Sequence, residues 1–269
     1  MMATDAPLGP RRALNQSLDR GLLILRRMAS SESELGIREL GRLMELDKTV
    51  VSRLVSTLAE HGFVEQNPVT KRYRIGPSAL DIGGRSAKHA RLYDVAYSHL
   101  QNVSQRHEVN VFLGVRSQSE VLYLCAVQRP NDSVFRVSAG FRGHLHATAL
   151  GKVLLAAMDG AALLKLLSEL ALPRLTPDTI ASRDRLSAEV ELVRRRGYAV
   201  SDEENLVGVI AIGAPVRDGT GRVVAAVSAA RHKDGMSESF ADAMVGITER
   251  LAGAISAKLG APPGVPFPP

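Results

Sequence analysis

Ile37-Arg-Glu-Leu-Gly-Arg-Leu-Met-Glu-Leu-Asp-Lys-Thr-Val-Val-Ser-Arg-Leu-Val-Ser-Thr-Leu-Ala-Glu-His-Gly-Phe-Val-Glu-Gln66 and its continuation, Asn67-Pro-Val-Thr-Lys-Arg-Tyr-Arg-Ile75, decide how this chain is read. The first part predicts a helix over about 37–45 and, after a very short turn, a second helix. Asp47 opens that second helix, where a carboxylate suits the positive end of the helix dipole. Val51, Leu54, Val55 and Leu58 form its apolar stripe. His61-Gly62 ends it, with Gly62 in the left-handed closing position. Phe63–Gln66 and Arg72–Ile75 read as two strands around an Asn67-Pro68 turn. Helix, tight turn, helix, hairpin is the order of a winged helix-turn-helix, and it implies duplex DNA as a partner.

Placement of charge supports that partner better than total charge does. The net charge is +6. Residues 1–76 carry 12 Lys/Arg against 9 Asp/Glu, and residues 77–269 carry 22 against 19, so each part contributes +3. From 48 to 74, however, Lys48, Arg53, Lys71, Arg72 and Arg74 face only Glu60 and Glu65. These cations lie on the elements that meet phosphate in such a fold. Lys48, Thr49 and Ser52 are the base-edge candidates, and the methyls of Thr49 and Val50 suit a thymine methyl. Arg53 reads either as a guanine or phosphate contact or as a salt-bridge partner of Glu39 or Glu60. Lys71 and Arg72 read as phosphate holders, which position without specifying. Arg20 reads as a backbone contact or a solvated cation.

Upstream, Ser17 is the expected N-cap of a helix over about 17–29 with Leu18, Leu22, Leu25 and Met28 as its stripe. Residues 1–15 read as a disordered arm, 16–76 as the winged unit, and 77–92 as a connecting helix weakened by Gly83-Gly84. Downstream the rhythm changes. Helices are expected near 93–107, 149–157, 160–169, 184–196 and 237–258. Strands are expected near 110–116, 120–128, 133–138, 198–200, 207–216 and 222–230. Hairpin-linked strands with grouped helices predict an α+β domain over 93–258 with an antiparallel sheet, and 259–269 is a proline-rich tail.

Composition narrows the chemistry. Hydrophobic residues make up 45% and charged residues 23%, ordinary for a globular protein. The single cysteine, Cys125, excludes an internal disulfide framework and cysteine-rich zinc modules. It sits in an apolar strand and reads as inert core. The absence of Trp and the scarcity of aromatic residues argue against a single-strand stacking platform. No apolar run reaches membrane-span length, and the expected setting is cytoplasmic. His144 and His146 read as solvated or capping rather than as metal ligands. Asp202-Glu203-Glu204 reads as a solvated acidic turn with one acid bonding backbone amides rather than as an acid–base pair. Gly151-Lys152 lacks the earlier glycine of a P-loop, and no nucleophile motif is present. No cofactor, no metal and no catalytic residue are expected.

Several blocks together resemble the IclR-type transcriptional regulators of bacteria. Ser17–Leu25 resembles that family's opening helix, Lys48–Leu58 its recognition helix and Tyr73–Gly76 the end of its wing. His146–Ala156, Gly197–Glu204, Gly208, Ala211–Val216 and Asp218 are similar to its C-terminal signature. Gly41, Glu45 and Arg217 depart from the family pattern, and Glu45 is uncomfortable if the turn requires a positive φ. The resemblance implies a GAF-like C-terminal domain binding a small effector, an organic acid or aromatic catabolite. It also implies a homodimer or tetramer on a pseudo-palindromic operator. By the same resemblance the effector is lined by Thr148, Ala149, Leu150, Gly151, Ser201, Ala211 and Ser228. Backbone amides of 148–151 would cradle a carboxylate, the alternative being that Thr148 and Ser228 are satisfied core hydroxyls. The competing functions are an enzyme acting on a small acid, or a module that binds DNA or protein without sensing.

Overall fold

The protein is described here by a computed structural model covering residues 15–31, 33–84, 87–129 and 137–268. It divides into two compact units, Met1–Ala90 and Arg91–Pro269. The arm expected over 1–15 falls, except for Asn15, outside the described residues.

The first unit runs α1 (Gln16–Ala29), α2 (Ile37–Met44), α3 (Lys48–Glu60), β1 (Val64–Gln66), β2 (Tyr73–Ile75) and α4 (Pro77–Gly84). Asn15, not Ser17, caps α1 by accepting from the Leu18 amide at 3.1 Å. The helix also buries a different stripe from the one expected. Gly21, Ile24 and Met28 face inward, while Leu18 and Leu22 are 63% and 52% exposed. Leucines occupy two faces of α1, so spacing alone does not say which face meets the core.

The rest of the unit follows local rules. Asp47 caps α3, its carboxylate accepting from the Thr49 amide at 2.7 Å. Val51 and Val55 of α3 pack with Ile24, Met28, Leu35, Leu40 and Val64. Gly62, at φ +70°, closes α3, with the Phe63 amide bonded to the Leu58 carbonyl and the Gly62 amide to the Ala59 carbonyl. The same bonding pattern closes α2, but there Glu45 takes the left-handed position, at φ 54°. β1 and β2 pair antiparallel, Val64 opposite Ile75, and Leu35 joins them through a two-bond bridge to Tyr73.

The second unit begins within α5 (Ala87–His107) and continues through β3 (Asn110–Ser117), β4 (Glu120–Val127), β5 (Arg142–His144), α6 (Ala149–Ala156), α7 (Gly160–Glu169), α8 (Arg183–Arg196), β6 (Ala199–Asp202), β7 (Val209–Arg217), β8 (Val223–His232) and α9 (Glu238–Lys258). α5 begins at Ala87, inside the stretch read as the connecting helix, and residues 85–86 lie outside the described residues. So do most of the strand expected near 133–138; residues 137–138 are not in a strand, and β5 forms later.

The six strands make one antiparallel sheet in the order β5-β4-β3-β8-β7-β6. The short strands β5 and β6 lie at its margins. Alternation sends Val111, Leu113, Val227, Ala229, Ile212 and Ala214 to one face, where Leu92, Ala96 and Leu100 of α5 and Met244 and Leu251 of α9 cover them. Phe112, Ala226 and Ala230 point to the other face, under α6, α7 and α8. The proline-rich tail is packed: Phe267 is 8% exposed, with the Arg217 guanidinium 5.1 Å from its ring centre.

Candidate functional site

Two places gather the residues expected to carry function, one in each unit. In the first, the outward side of α3 presents Lys48, Thr49 and Arg53 to solvent, with Val50 and Ser52 half-buried. Arg53 makes no ion pair with Glu39 or Glu60 among the described residues; Glu39 is engaged by Arg72 instead. Arg20 is half-buried without an ion pair among the described residues.

The hairpin is held in shape by a network that the sequence does not announce. The Asn67 side chain accepts from the Val69 and Thr70 amides at 2.9 and 3.1 Å, forming a tight Asx loop. The Glu34 carboxylate receives Asn67 at 2.8 Å and the Thr70 hydroxyl at 2.7 Å. Those hydrogen bonds hold its carboxyl below the usual carboxylate range. Lys71 stands at the tip, exposed, with φ 56°.

Arg72 corrects an expectation. Its Nε donates to the Glu34 carbonyl at 2.8 Å and its Nη2 to Glu39 at 2.6 Å. A guanidinium with two fixed acceptors ties the wing to α2. Arg74 is likewise paired, with Glu65 at 2.5 Å.

In the second unit, a cavity of about 60 Å³ opens between the sheet and the start of α6. Strand register explains its walls. Phe112 stands opposite Ser228, Ala211 opposite both Ala230 and Ser201. α6 approaches the sheet closely because Gly213 has no side chain: a Cβ there would lie 2.6 Å from the Ala149 carbonyl oxygen. Thr148, Ala149, Leu150, Ser201, Ala211 and Ser228 all line the cavity, as do Phe112, Tyr123, Asn205, Leu206 and Val209. The rings of Phe112 and Tyr123 meet edge to face at 5.7 Å.

The polar groups differ in how free they are. The Thr148 hydroxyl caps α6, donating to the His144 carbonyl at 2.7 Å and accepting from the Gly151 amide at 3.1 Å. Ser201 donates to the Ala147 carbonyl at 2.7 Å. Both are thus satisfied core hydroxyls. The hydroxyl of Ser228, a residue only 3% exposed, makes no hydrogen bond among the described residues, and the amides of Ala149 and Leu150 at the start of α6 make none either. No charged side chain lines the cavity among the described residues.

Gly151 is the second correction. It does not line the cavity, and its amide is already taken by Thr148. A Cβ there would fall 2.3 Å from the Leu145 carbonyl oxygen, so the glycine serves the approach of α6 to the preceding turn.

Lys152 on α6 centres a buried charge cluster that sequence reading missed. Lys152, 1% exposed, donates to Glu204 at 2.5 Å and to the Val200 carbonyl at 2.8 Å, with Glu189 at 3.6 Å. Glu189 in turn pairs with Arg196 at 2.9 Å. Glu204 is therefore not in a solvated turn: it is 8% exposed, and burial pushes its carboxyl above the usual range against the pull of Lys152. The Glu204 carbonyl accepts from the Thr179 hydroxyl at 2.6 Å, which fixes the loop bearing Asn205 and Leu206. Glu203 does bond a backbone amide, that of Gly208 at 2.9 Å, and it pairs with Lys233 at 2.7 Å. His146 is buried, its Nε2 3.0 Å from the Pro173 carbonyl oxygen, so only His144 is solvated. The lone signal for the cluster was a lysine in an otherwise apolar helix, Ala149–Ala156.

Comparison with known proteins follows the same division. Residues 17–68 match the IclR helix-turn-helix domain, and residues 84–257 match the bacterial transcriptional regulator IclR C-terminal domain. The chain belongs to the IclR family. HTH-type transcriptional regulator XynR of Escherichia coli K12 is 33% identical over 213 residues, covering 79% of this chain and 84% of that protein. The glycerol operon regulatory protein of Streptomyces griseus is 32% identical over 248 residues, covering 91% and 97%. The crystal structure of Thermotoga maritima IclR superposes with a TM-score of 0.71 at 28% identity, covering 91% of this chain and 98% of that one. As an IclR-family member the protein is a DNA-binding transcriptional regulator with a C-terminal effector domain. Its relatives are regulators rather than enzymes. Among the described residues no helix is long and apolar enough to cross a membrane, and among them no cluster of three or more His, Cys, Asp or Glu is placed to hold a metal.

Proposed function

We propose that α3 reads an operator in the major groove through Lys48, Thr49, Val50, Ser52 and Arg53, with Lys71 on the flanking phosphate. The observation that carries this reading is that Lys48 and Arg53 are exposed and without an ion pair among the described residues, and stand at the capped N-terminal half of α3, the part that reaches base edges in such folds. A homodimer, or a tetramer built from dimers, on a pseudo-palindromic operator in the cytoplasm completes the reading.

In the second unit the ligand is a small organic acid carrying one carboxylate on an apolar body. The unbonded Ala149 and Leu150 amides and the Ser228 hydroxyl would receive the carboxylate, and Phe112, Leu206 and Val209 would enclose the body. Among the described residues no cation lines the cavity to meet a second carboxylate. Effector and operator affinity then change each other by the same factor.

The test uses duplexes enriched from a random library by the purified full chain. Lys48→Ala with Arg53→Ala is expected to weaken binding to the enriched duplex about tenfold or more. If the double variant binds it as tightly as the wild type, α3 does not read the operator.

A further inference from the structure

We infer that the outward face of α2, through Arg38 and Arg42, is a second phosphate-holding edge of the DNA interface. This rests on the reading of the winged unit as the DNA-binding end. It answers a shortage that the structure creates: two of the hairpin's three cations, Arg72 and Arg74, are already neutralised by Glu39 and Glu65. Lys71 alone on the hairpin lacks a carboxylate partner among the described residues.

Arg38 and Arg42 are four residues apart on α2, hence on one side of it. Both are exposed, and neither side chain makes a hydrogen bond or ion pair among the described residues. Leu40 is buried on the opposite side. Arg42, in the last turn, favours the helix dipole. Arg38 opposes it: it stands in the first turn, where the helix end is positive. The one acid of that turn, Glu39, is turned to Arg72. A cation left unpaired beside a positive helix end is a poor structural choice and a suitable phosphate ligand, since a guanidinium grips phosphate through paired N–H donors.

Position supports the same assignment. The Arg72–Glu39 pair sets the first turn of α2 against the hairpin, and an Arg72 Nη1 lies 4.0 Å from where a Gly36 Cβ would stand. At its other end α2 leads through Glu45, Leu46 and Asp47 straight into α3. Arg38 and Arg42 therefore span from the hairpin side to the start of α3, the path of the first helix where it crosses the DNA backbone in helix-turn-helix complexes.

The test is the salt dependence of binding of the full chain to a mixed-sequence duplex of about 20 bp, which needs no operator. Arg38→Gln and Arg42→Gln are each expected to lower the slope of log Kobs against log[KCl] by about 0.9 for every DNA-binding unit engaged. In the double variant, the affinity lost between about 50 and 200 mM KCl shrinks roughly tenfold per unit engaged. Arg38→Lys with Arg42→Lys retains the wild-type slope. Arg185→Gln, an exposed charge on α8, leaves it unchanged and so controls for net charge. If the Gln pair keeps the wild-type slope while Lys71→Ala or the Lys48→Ala, Arg53→Ala pair lowers it, this inference fails and the α3 reading stands. If none of these variants alters the slope, the DNA-binding reading of the unit fails as well. A slope lowered together with the melting midpoint and not restored by the Lys pair marks the arginines as structural and overturns the proposal.

Discussion

Replacing Lys152 by Met removes the ammonium of the buried cluster and keeps the length of the side chain. Glu204 is then left with a buried carboxylate whose Oε2 already lacks a partner among the described residues. Removing one member of a buried ion pair costs about 3–5 kcal/mol, because the other charge stays desolvated. For a unit of this size each kcal/mol moves the melting midpoint by about 2–4 °C, so the loss is roughly 6–20 °C. The pH dependence gives a second handle. Burial holds the Glu204 carboxyl above the usual range, and loss of Lys152 pushes it further up. A carboxyl with a raised folded-state pKa contributes stability that is fully present below its unfolded pKa. That contribution is lost as pH rises through the folded value. Lys152→Met is therefore least destabilised near the ordinary carboxylate range and progressively more so toward neutral pH. Replacing both charges, Lys152→Met with Glu204→Leu, recovers most of the loss, since apolar substitution of a whole buried pair is often neutral or better. Urea unfolding followed by circular dichroism at about pH 5 and about pH 8 measures all three. A cost below about 1 kcal/mol for Lys152→Met, equal costs at both pH values, or a double variant no better than the single one refutes the reasoning.

Two further outcomes are expected. Glu45→Gly stabilises the winged unit by up to about 1 kcal/mol, because Glu45 holds a left-handed conformation that only glycine adopts freely; Glu45→Ala gives no such gain, and equal behaviour of the two variants in urea unfolding argues against backbone strain. In the cavity, small monocarboxylic acids raise the melting midpoint of the full chain more than dicarboxylic ones do. Ser228→Ala weakens the stabilising acid about tenfold, the loss of one hydrogen bond to a charged group, while leaving the unliganded midpoint within a few degrees; an unchanged ligand affinity removes Ser228 from the site.

The helices and strands flanking the sites were legible because local rules set them. Asp47 before a periodic run marked α3, His61-Gly62 marked its end, and the turn Asp218-Gly-Thr-Gly221 between two apolar runs marked the β7–β8 hairpin. The flagged discomfort at Glu45 corresponds to a real left-handed residue. What stayed hidden depends on long-range partners. Arg72 looked like every other exposed cation until Glu34 and Glu39, more than thirty residues away in sequence, were found beside it. Glu204 looked solvated because Lys152 lies 52 residues earlier. Gly151 read as a lining residue, whereas its contact is with the Leu145 backbone. Phe112, Tyr123 and Asn205 entered the cavity wall through sheet register and loop placement, which no local pattern encodes.

The margins of the six-stranded sheet carry a consequence for how copies of this chain can meet. β5 offers three residues and β6 four, so little free backbone is available for an incoming strand. Long exposed edges template strand addition and runaway aggregation, and very short ones suppress it. The fold thus closes off edge-to-edge zippering during synthesis at high concentration. For the homodimer proposed above, it leaves side-chain surfaces, where specificity is written residue by residue, as the places to meet.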